Sequence, residues 1–138
     1  MKKLTVVATV DDRMGVAFNK RRQSRDVKLI EDLIRSTERT IYVTEYSEPL
    51  FEGHIDRIIV ANDPMSECPD GGVCFIELTP LAGKAEEIST LILYRWNKVY
   101  PSDKKLGIDI DECGFKLTET TEFTGKSHDK ITKEVYVK

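Results

Sequence analysis

The chain has 138 residues, of which 40% are hydrophobic and 33% are charged, and its formal net charge is −3. This length is typical of one domain, and the composition excludes a disordered chain. Because acidic residues outnumber basic ones, the charge also excludes a general electrostatic attraction to nucleic acid. We therefore predict one globular domain over residues 1–138, in which nucleic-acid binding would need a local basic patch.

The first predicted element is a strand over Leu4–Val10, whose nearly continuous apolar character is typical of a buried central strand. Two lysines precede it, as in a signal peptide. However, the run contains two threonines, stops at Asp11 and Asp12, and offers no small-residue cleavage site. No run approaches the roughly 18 apolar residues that span a membrane. We therefore predict a cytoplasmic protein with no membrane segment.

An amphipathic helix is predicted over residues 25–36, because apolar residues recur there at helical spacing. Ser24 is the predicted N-cap residue, and Asp26 in the first turn suits the helix dipole. The segment before this helix, residues 19–25, is polar and basic. In this acidic chain it is the most unusual local composition.

The rest of the chain alternates strands with short helices and ends in an antiparallel strand pair. Strands are predicted over residues 40–44, 57–61, 73–76, 90–96, 115–123 and 131–137. A short helix is predicted within residues 46–56. Another is predicted from Thr79 to Glu87, with Thr79 as its cap and Pro80 at its first position. This order predicts an α/β fold with a mixed sheet and helices on its faces.

Cysteine and histidine residues are too few and too scattered for a zinc site. The chain has Cys68, Cys74 and Cys113, none of them in a CxxC pair, and its two histidines are His54 and His128. We predict partly buried free thiols in a reducing compartment, and no bound metal.

The order of elements resembles that of the dihydrofolate reductase family. Its opening strand and turn resemble Val6 to Gly15, and Asp26 falls at nearly the distance past Gly15 where the family has an acidic residue. Residues 90–103 and 115–137 resemble the family's long strand and closing hairpin. The resemblance implies a mixed, mostly parallel sheet that is flanked by helices and closed by an antiparallel C-terminal hairpin.

Several positions depart from the family's cofactor motifs. Residues 19–22 replace its Pro-Trp pair, and Glu45 stands where an arginine would bind cofactor phosphate. Ile76 and Glu77 fall where a Gly-Gly pair lets the nicotinamide approach the backbone, so side-chain bulk and negative charge oppose a dinucleotide. We therefore predict no nicotinamide cofactor.

Asp26 and the basic segment are the main candidate site. The resemblance implies that Asp26 binds the aminopyrimidine end of a pterin, and in an apolar cleft its raised pKa would let it relay a proton. Lys20, Arg21, Arg22 and Arg25 could clamp a phosphate or carboxylate group. The alternatives are an acid that only caps the helix dipole and a solvated basic loop.

Two aromatic residues and one histidine complete the candidates. Tyr94 and Trp96 share one strand face, where they could stack on a heterocycle or nucleobase while Arg95 faces away; the alternative is core packing. His128 is predicted in a hairpin loop. The run Ser127 to Asp129 is not a catalytic triad, because chain neighbours do not reach the required geometry.

Three functions follow from these residues. The first is binding, with or without catalysis, of a small planar or phosphorylated ligand by a dihydrofolate reductase-like domain that has lost nicotinamide reduction. The second is a nucleic-acid-binding or ribonuclease-like module that uses the basic loop, without the HxHxDH motif of metal-dependent tRNA nucleases. The third is a non-catalytic homodimeric interaction protein.

Overall fold

The computed structural model describes residues 2–138. In chain order its strands are β1 (Leu4–Val10), β2 (Gly15–Phe18), β3 (Arg21–Arg22), β4 (Ile41–Val43), β5 (Ile58–Val60), β6 (Val73–Phe75), β7 (Ile88–Arg95), β8 (Lys104–Lys105), β9 (Lys116–Phe123) and β10 (Ile131–Val137). The α-helices are α1 (Val27–Ser36) and α2 (Pro64–Glu67). Single 3₁₀ turns occur at Glu48–Phe51, Ile55–Arg57 and Ala85–Glu87.

Seven strands form the main sheet, in the order β5-β4-β6-β1-β7-β10-β9. The first five of these pair in parallel, and β10 pairs antiparallel with both β7 and β9. β1 lies at the centre, as its apolar run predicts. The predicted mixed, mostly parallel sheet with a closing antiparallel hairpin is confirmed.

The two faces of the sheet carry separate hydrophobic cores, because successive residues of β1 point to opposite sides. Val7 packs with Leu29 and Leu33 of α1 on one face. Val6 packs on the other face, in the same core as Met65 of α2 and Leu106. The helices therefore lie on both faces of the sheet.

The beginning of α1 differs from the sequence prediction. The helix starts at Val27, and its N-cap residue is Asp26, whose side chain accepts a hydrogen bond from the Lys28 backbone N–H. The prediction that Ser24 caps this helix is therefore wrong. The Ser24 hydroxyl faces His128 instead.

The predicted helix over residues 79–87 is also wrong. Only the turn Ala85–Glu87 is helical, and it is a 3₁₀ turn. Gly83 has a φ of +77°, in the left-handed region that ends helices. The Leu81 backbone N–H bonds to the Leu106 carbonyl, so the segment before Gly83 is held by a tertiary contact. The short helix α2 was not predicted from the sequence.

The basic segment folds as a small hairpin. Asn19 and Lys20 form its two-residue turn, and both have positive φ values (52° and 59°), which is the type I′ pattern of tight hairpins. β2 pairs with β3 on one side and with β8 on the other. This small sheet fixes where Arg21 and Arg22 point.

No helix of residues 2–138 is long and apolar enough to cross a membrane. The three cysteines are unpaired; Cys68 and Cys74 are buried, and Cys113 is half-buried.

Candidate functional site

Asp26 lies at the start of α1 and is clasped by the loop between β9 and β10. Its Oδ1 accepts the backbone N–H groups of Lys28 and Lys126, both at 2.9 Å. Its Oδ2 accepts the Ser127 N–H at 2.9 Å and lies 2.8 Å from Nδ1 of His128. The carboxylate is enclosed by donors, and three of its four partner residues lie about 100 positions from Asp26 in the chain.

These donors determine the ionisation of Asp26. Burial alone opposes the charged form, but the hydrogen bond from His128 and those from the backbone N–H groups of Lys126, Ser127 and Lys28 outweigh it. The pKa of Asp26 is therefore held well below its usual range. This reverses the expectation of a raised pKa, because hydrogen-bond donors contact both oxygens of the Asp26 carboxylate.

Gly125 allows the loop to come this close. A Cβ atom at Gly125 would lie 2.5 Å from Oδ2 of Asp26 and 2.9 Å from Cδ1 of Ile131. Contacts this short do not occur between real side chains, so a larger residue would push the loop away. The sequence shows the glycine but not the carboxylate that it faces.

His128 is the centre of a buried polar network. Its Nε2 lies 2.9 Å from Ser24 Oγ and 3.3 Å from the Tyr100 hydroxyl. Its ring stacks on Trp96, with centroids 4.5 Å apart and an interplanar angle of 26°. His128 lies in the loop between the antiparallel strands β9 and β10, in agreement with the predicted hairpin loop, but only 5% of it is exposed.

The ionised Asp26 also fixes the histidine tautomer. A carboxylate can only accept, so the proton of neutral His128 sits on Nδ1 and points at Asp26. The lone pair of Nε2 can then accept a hydrogen bond from the Ser24 hydroxyl. No sequence signal indicated this contact, which spans 104 positions.

Arg22 is committed to an internal ion pair. Its guanidinium bonds both oxygens of Glu77, at 2.7 and 3.1 Å, and lies over the Tyr46 ring at 4.3 Å from the centroid. Glu77 is 6% exposed and also accepts the Ser47 hydroxyl at 2.7 Å. Arg22 is therefore not free to clamp a ligand, whereas Arg21 and Arg25 are exposed.

Tyr94 and Trp96 lie on the same face of the sheet, as predicted, but inside the core beneath α1. Tyr94 has no exposed surface, and its hydroxyl donates to Asp32 at 2.7 Å. Burial, together with the bond to Asp32, raises its pKa. Trp96 is 3% exposed. Neither ring offers an open face, so the structure favours the core-packing alternative for both.

A groove of about 520 Å³ runs along the start of α1. Its walls include the apolar side chains Val27, Ile30 and Leu50, with Arg25 and Lys126 beside them. Neither of these two cations forms an ion pair within residues 2–138. We call this space along the start of α1 the groove.

A second pocket shares four lining residues with the groove but is nearly filled. It has only about 10 Å³ of free volume, and Ser24, Phe75 and Trp96 are among its walls. Among the described residues, no group of three or more His, Cys, Asp or Glu side chains could hold a metal ion.

No family model matches this sequence, and no curated protein does. Among solved structures, 206 chains match. One is the dihydrofolate reductase from Enterococcus faecalis complexed with NADP(H) and RAB-propyl, with a TM-score of 0.65 over 97% of this chain and 95% of that chain. The fold is that of dihydrofolate reductase. Sequence identity to that enzyme is 10%, so the likeness is one of fold alone.

Within this dihydrofolate reductase-like fold, two of the positions that depart from the family's motifs, Ile76 and Glu77, are occupied by packed side chains. Ile76 is 3% exposed, and the Glu77 carboxylate holds Arg22 and Ser47. The sequence indicated that Glu77 adds bulk and negative charge here. It did not indicate that Arg22 neutralises this charge.

Proposed function

We propose that this chain binds a small anionic ligand, planar or phosphorylated, in the groove, and that it does not carry out nicotinamide-dependent reduction. The observation that carries the proposal is the pairing of two cations with an apolar wall. Arg25 and Lys126 have no carboxylate partner among the described residues, and Val27 and Ile30 line the same groove. A flat apolar ring with an acidic group matches both features.

Asp26 forms no ion pair with Arg25 or Lys126 in the described part of the chain. Its carboxylate faces inward and is held by the Lys126 and Ser127 N–H groups and by His128. Glu52 is the other acid of the groove. Arg25 and Lys126 equal Asp26 and Glu52 in number, but both cations are exposed and form no ion pair among the described residues, so they can pair with an anionic group of a ligand.

Binding of a small ligand in the groove is better supported than binding of nucleic acid. Binding of single-stranded nucleic acid uses exposed aromatic rings as stacking platforms, and Tyr94 and Trp96 are buried. Arg22, one of the basic residues that such a module would use, is paired with Glu77.

Binding of a small ligand is also better supported than the role of a homodimeric interaction protein. β9 is an exposed edge strand, but Lys116, Glu119 and Glu122 along it are the kind of charges that discourage edge pairing.

Calorimetric titration with AMP and FMN tests the ligand class, with adenosine and riboflavin as matched compounds lacking the phosphate. We expect a phosphorylated member to bind and its counterpart to bind at least about 10-fold more weakly, since a charge-assisted hydrogen bond contributes about 1.5–3 kcal/mol. Arg25→Gln and Lys126→Gln should each weaken binding by about 5–10-fold. Arg21→Gln, which removes an exposed cation outside the groove, is the control. Equal affinities for the Arg25 and Arg21 variants, or no binding of either phosphorylated compound at millimolar concentration, would contradict the proposal.

NADPH should show no saturable binding up to about millimolar concentration, because the buried side chains of Ile76 and Glu77 stand where the resemblance places the Gly-Gly pair that lets a nicotinamide approach the backbone. Trp96, the single tryptophan, provides the fluorescence readout. Absorbance at the nicotinamide band would report any turnover of dihydrofolate. Tight NADPH binding with folate reduction would show that this part of the proposal is wrong.

A further inference from the structure

Ser24, His128 and Asp26 form a chain of hydrogen bonds that ligand binding in the groove does not use. We propose that Ser24 is a nucleophile for acyl transfer, with His128 as its general base and Asp26 as the residue that positions His128. The substrates would be carboxylic esters with a short acyl group. This inference does not depend on the identity of the ligand of the groove.

The geometry has the order that a hydroxyl nucleophile needs. Ser24 Oγ lies 2.9 Å from Nε2 of His128, and Nδ1 of His128 lies 2.8 Å from Oδ2 of Asp26. With the proton on Nδ1, Nε2 can remove the hydroxyl proton during attack. The three groups come from two segments about 100 positions apart, as expected of a site assembled by the fold.

The surroundings hold the imidazole in one orientation. Trp96 stacks on one face of the ring. The Asp26 carboxylate is itself fixed by three backbone N–H groups and therefore cannot rotate away from Nδ1. The Tyr100 hydroxyl lies 3.3 Å from Nε2, which is farther than the 2.9 Å between Nε2 and Ser24 Oγ. Such supporting contacts are what a preorganised base requires.

Access to Ser24 sets the substrate class. Ser24 is half-buried, whereas Asp26 and His128 are buried, so Ser24 is the most accessible residue of the three. The pocket on its inner side has about 10 Å³ of free volume, which leaves no channel for a long acyl chain. Arg25 is the next residue and lines the same pocket, so its positive charge favours a developing oxyanion.

The reaction balances with water as the second reactant. Ser24 Oγ forms a bond to the ester carbonyl carbon while its proton passes to Nε2 of His128. The C–O bond of the ester then breaks, and the leaving alcohol takes that proton. Water attacks the acyl-enzyme, gives a proton to His128, and releases the acid as Ser24 recovers its hydrogen.

Two measurements on the full chain test this inference. A fluorophosphonate should add one phosphonyl mass, located on Ser24 by peptide mapping. Hydrolysis of p-nitrophenyl acetate should show a burst, and Ser24→Ala and His128→Gln should each lower kcat/KM by about 100-fold or more. Ser36→Ala is the control, because Ser36 lies at the far end of α1 and bonds only to the Leu33 carbonyl. Asp26→Asn, as a positioning variant, should lower kcat and leave KM within about twofold.

Ser24→Ala should fold, because Nε2 keeps the Tyr100 hydroxyl and Nδ1 keeps Asp26. Thermal unfolding checks this. Labelling at another residue, no labelling of the folded protein, or a Ser24→Ala variant with the rate of the unmodified chain would each overturn the inference. AMP or FMN binding by Ser24→Ala should be unchanged, so failure of this inference and failure of the groove proposal give different results.

Discussion

Replacing Asp26 by alanine should lower the free energy of unfolding by about 3–5 kcal/mol at neutral pH. The change removes a buried anion and leaves its donors without an acceptor. These donors are the N–H groups of Lys126 and Ser127 and Nδ1 of His128. Removing one member of a buried charged network usually costs this much. Loss of the helix cap to the Lys28 N–H is part of that cost, at about 0.5–2 kcal/mol.

The effect of Asp26 should depend on pH in a defined direction. Its folded-state pKa lies below that of an unfolded aspartate, about 3.9, so the ionised form stabilises the fold. That contribution is fully present above about pH 5 and is lost as the pH falls through the unfolded and then the folded pKa. Urea unfolding of the unmodified chain and of Asp26→Asn should therefore show a difference that narrows between about pH 5 and 2.

Asp129→Asn is the matched control for this experiment, because Asp129 is an exposed acid in the same loop. Its free energy of unfolding should stay within about 0.5 kcal/mol of the unmodified chain. A difference between the unmodified chain and Asp26→Asn that stays constant over this pH range would contradict the assignment of an ionised, enclosed carboxylate.

Replacing Glu77 by alanine should cost about 2–4 kcal/mol, since it leaves the Arg22 guanidinium and the Ser47 hydroxyl without their acceptor. The double variant Arg22→Met/Glu77→Met should cost less than Glu77→Ala alone. An apolar pair leaves no buried charge unpaired and keeps the volume of the site filled. Chemical denaturation gives these values directly.

The chain contains a surface pair for comparison. Lys130 and Glu122 are 2.6 Å apart, but their side chains are 59% and 50% exposed. Glu122→Gln should cost no more than about 1 kcal/mol, as exposed pairs do. If Glu77→Ala were no more costly than Glu122→Gln, the Glu77–Arg22 pair would not be the fixed element that the structure shows.

Local patterns were sufficient for the strands of the main sheet. The continuous apolar run of β1 and the alternating residues of β10 predicted the first and last residue of each strand. A continuous apolar run is typical of a strand buried on both faces, and alternation is typical of a strand buried on one face. The hairpin turn at Asn19 and Lys20 was missed because it reaches two positive φ values without the usual glycine.

The site was predictable only in part, since its contacts join distant segments. Asp26 was identified as the central acid, through the resemblance to dihydrofolate reductase. Its partners were not, because nothing in the sequence around His128 records a bond across 102 positions. In the same way Arg22 and Glu77 were each singled out, but as a ligand contact and as an obstacle to cofactor, never as partners of each other.

The clasp on Asp26 also orders events during synthesis of the chain. A ribosome makes β1, α1 and β7 well before residues 125–128, so Asp26 lacks its partners in the β9–β10 loop, although not the Lys28 N–H, until those residues emerge. Over the same interval the edge of β7 that pairs with β10 has no partner strand. Pairing across so many residues is slow to nucleate. Nascent chains that stop before Gly125 should therefore stay loosely packed and depend on chaperones, whereas those that include β10 complete both cores together.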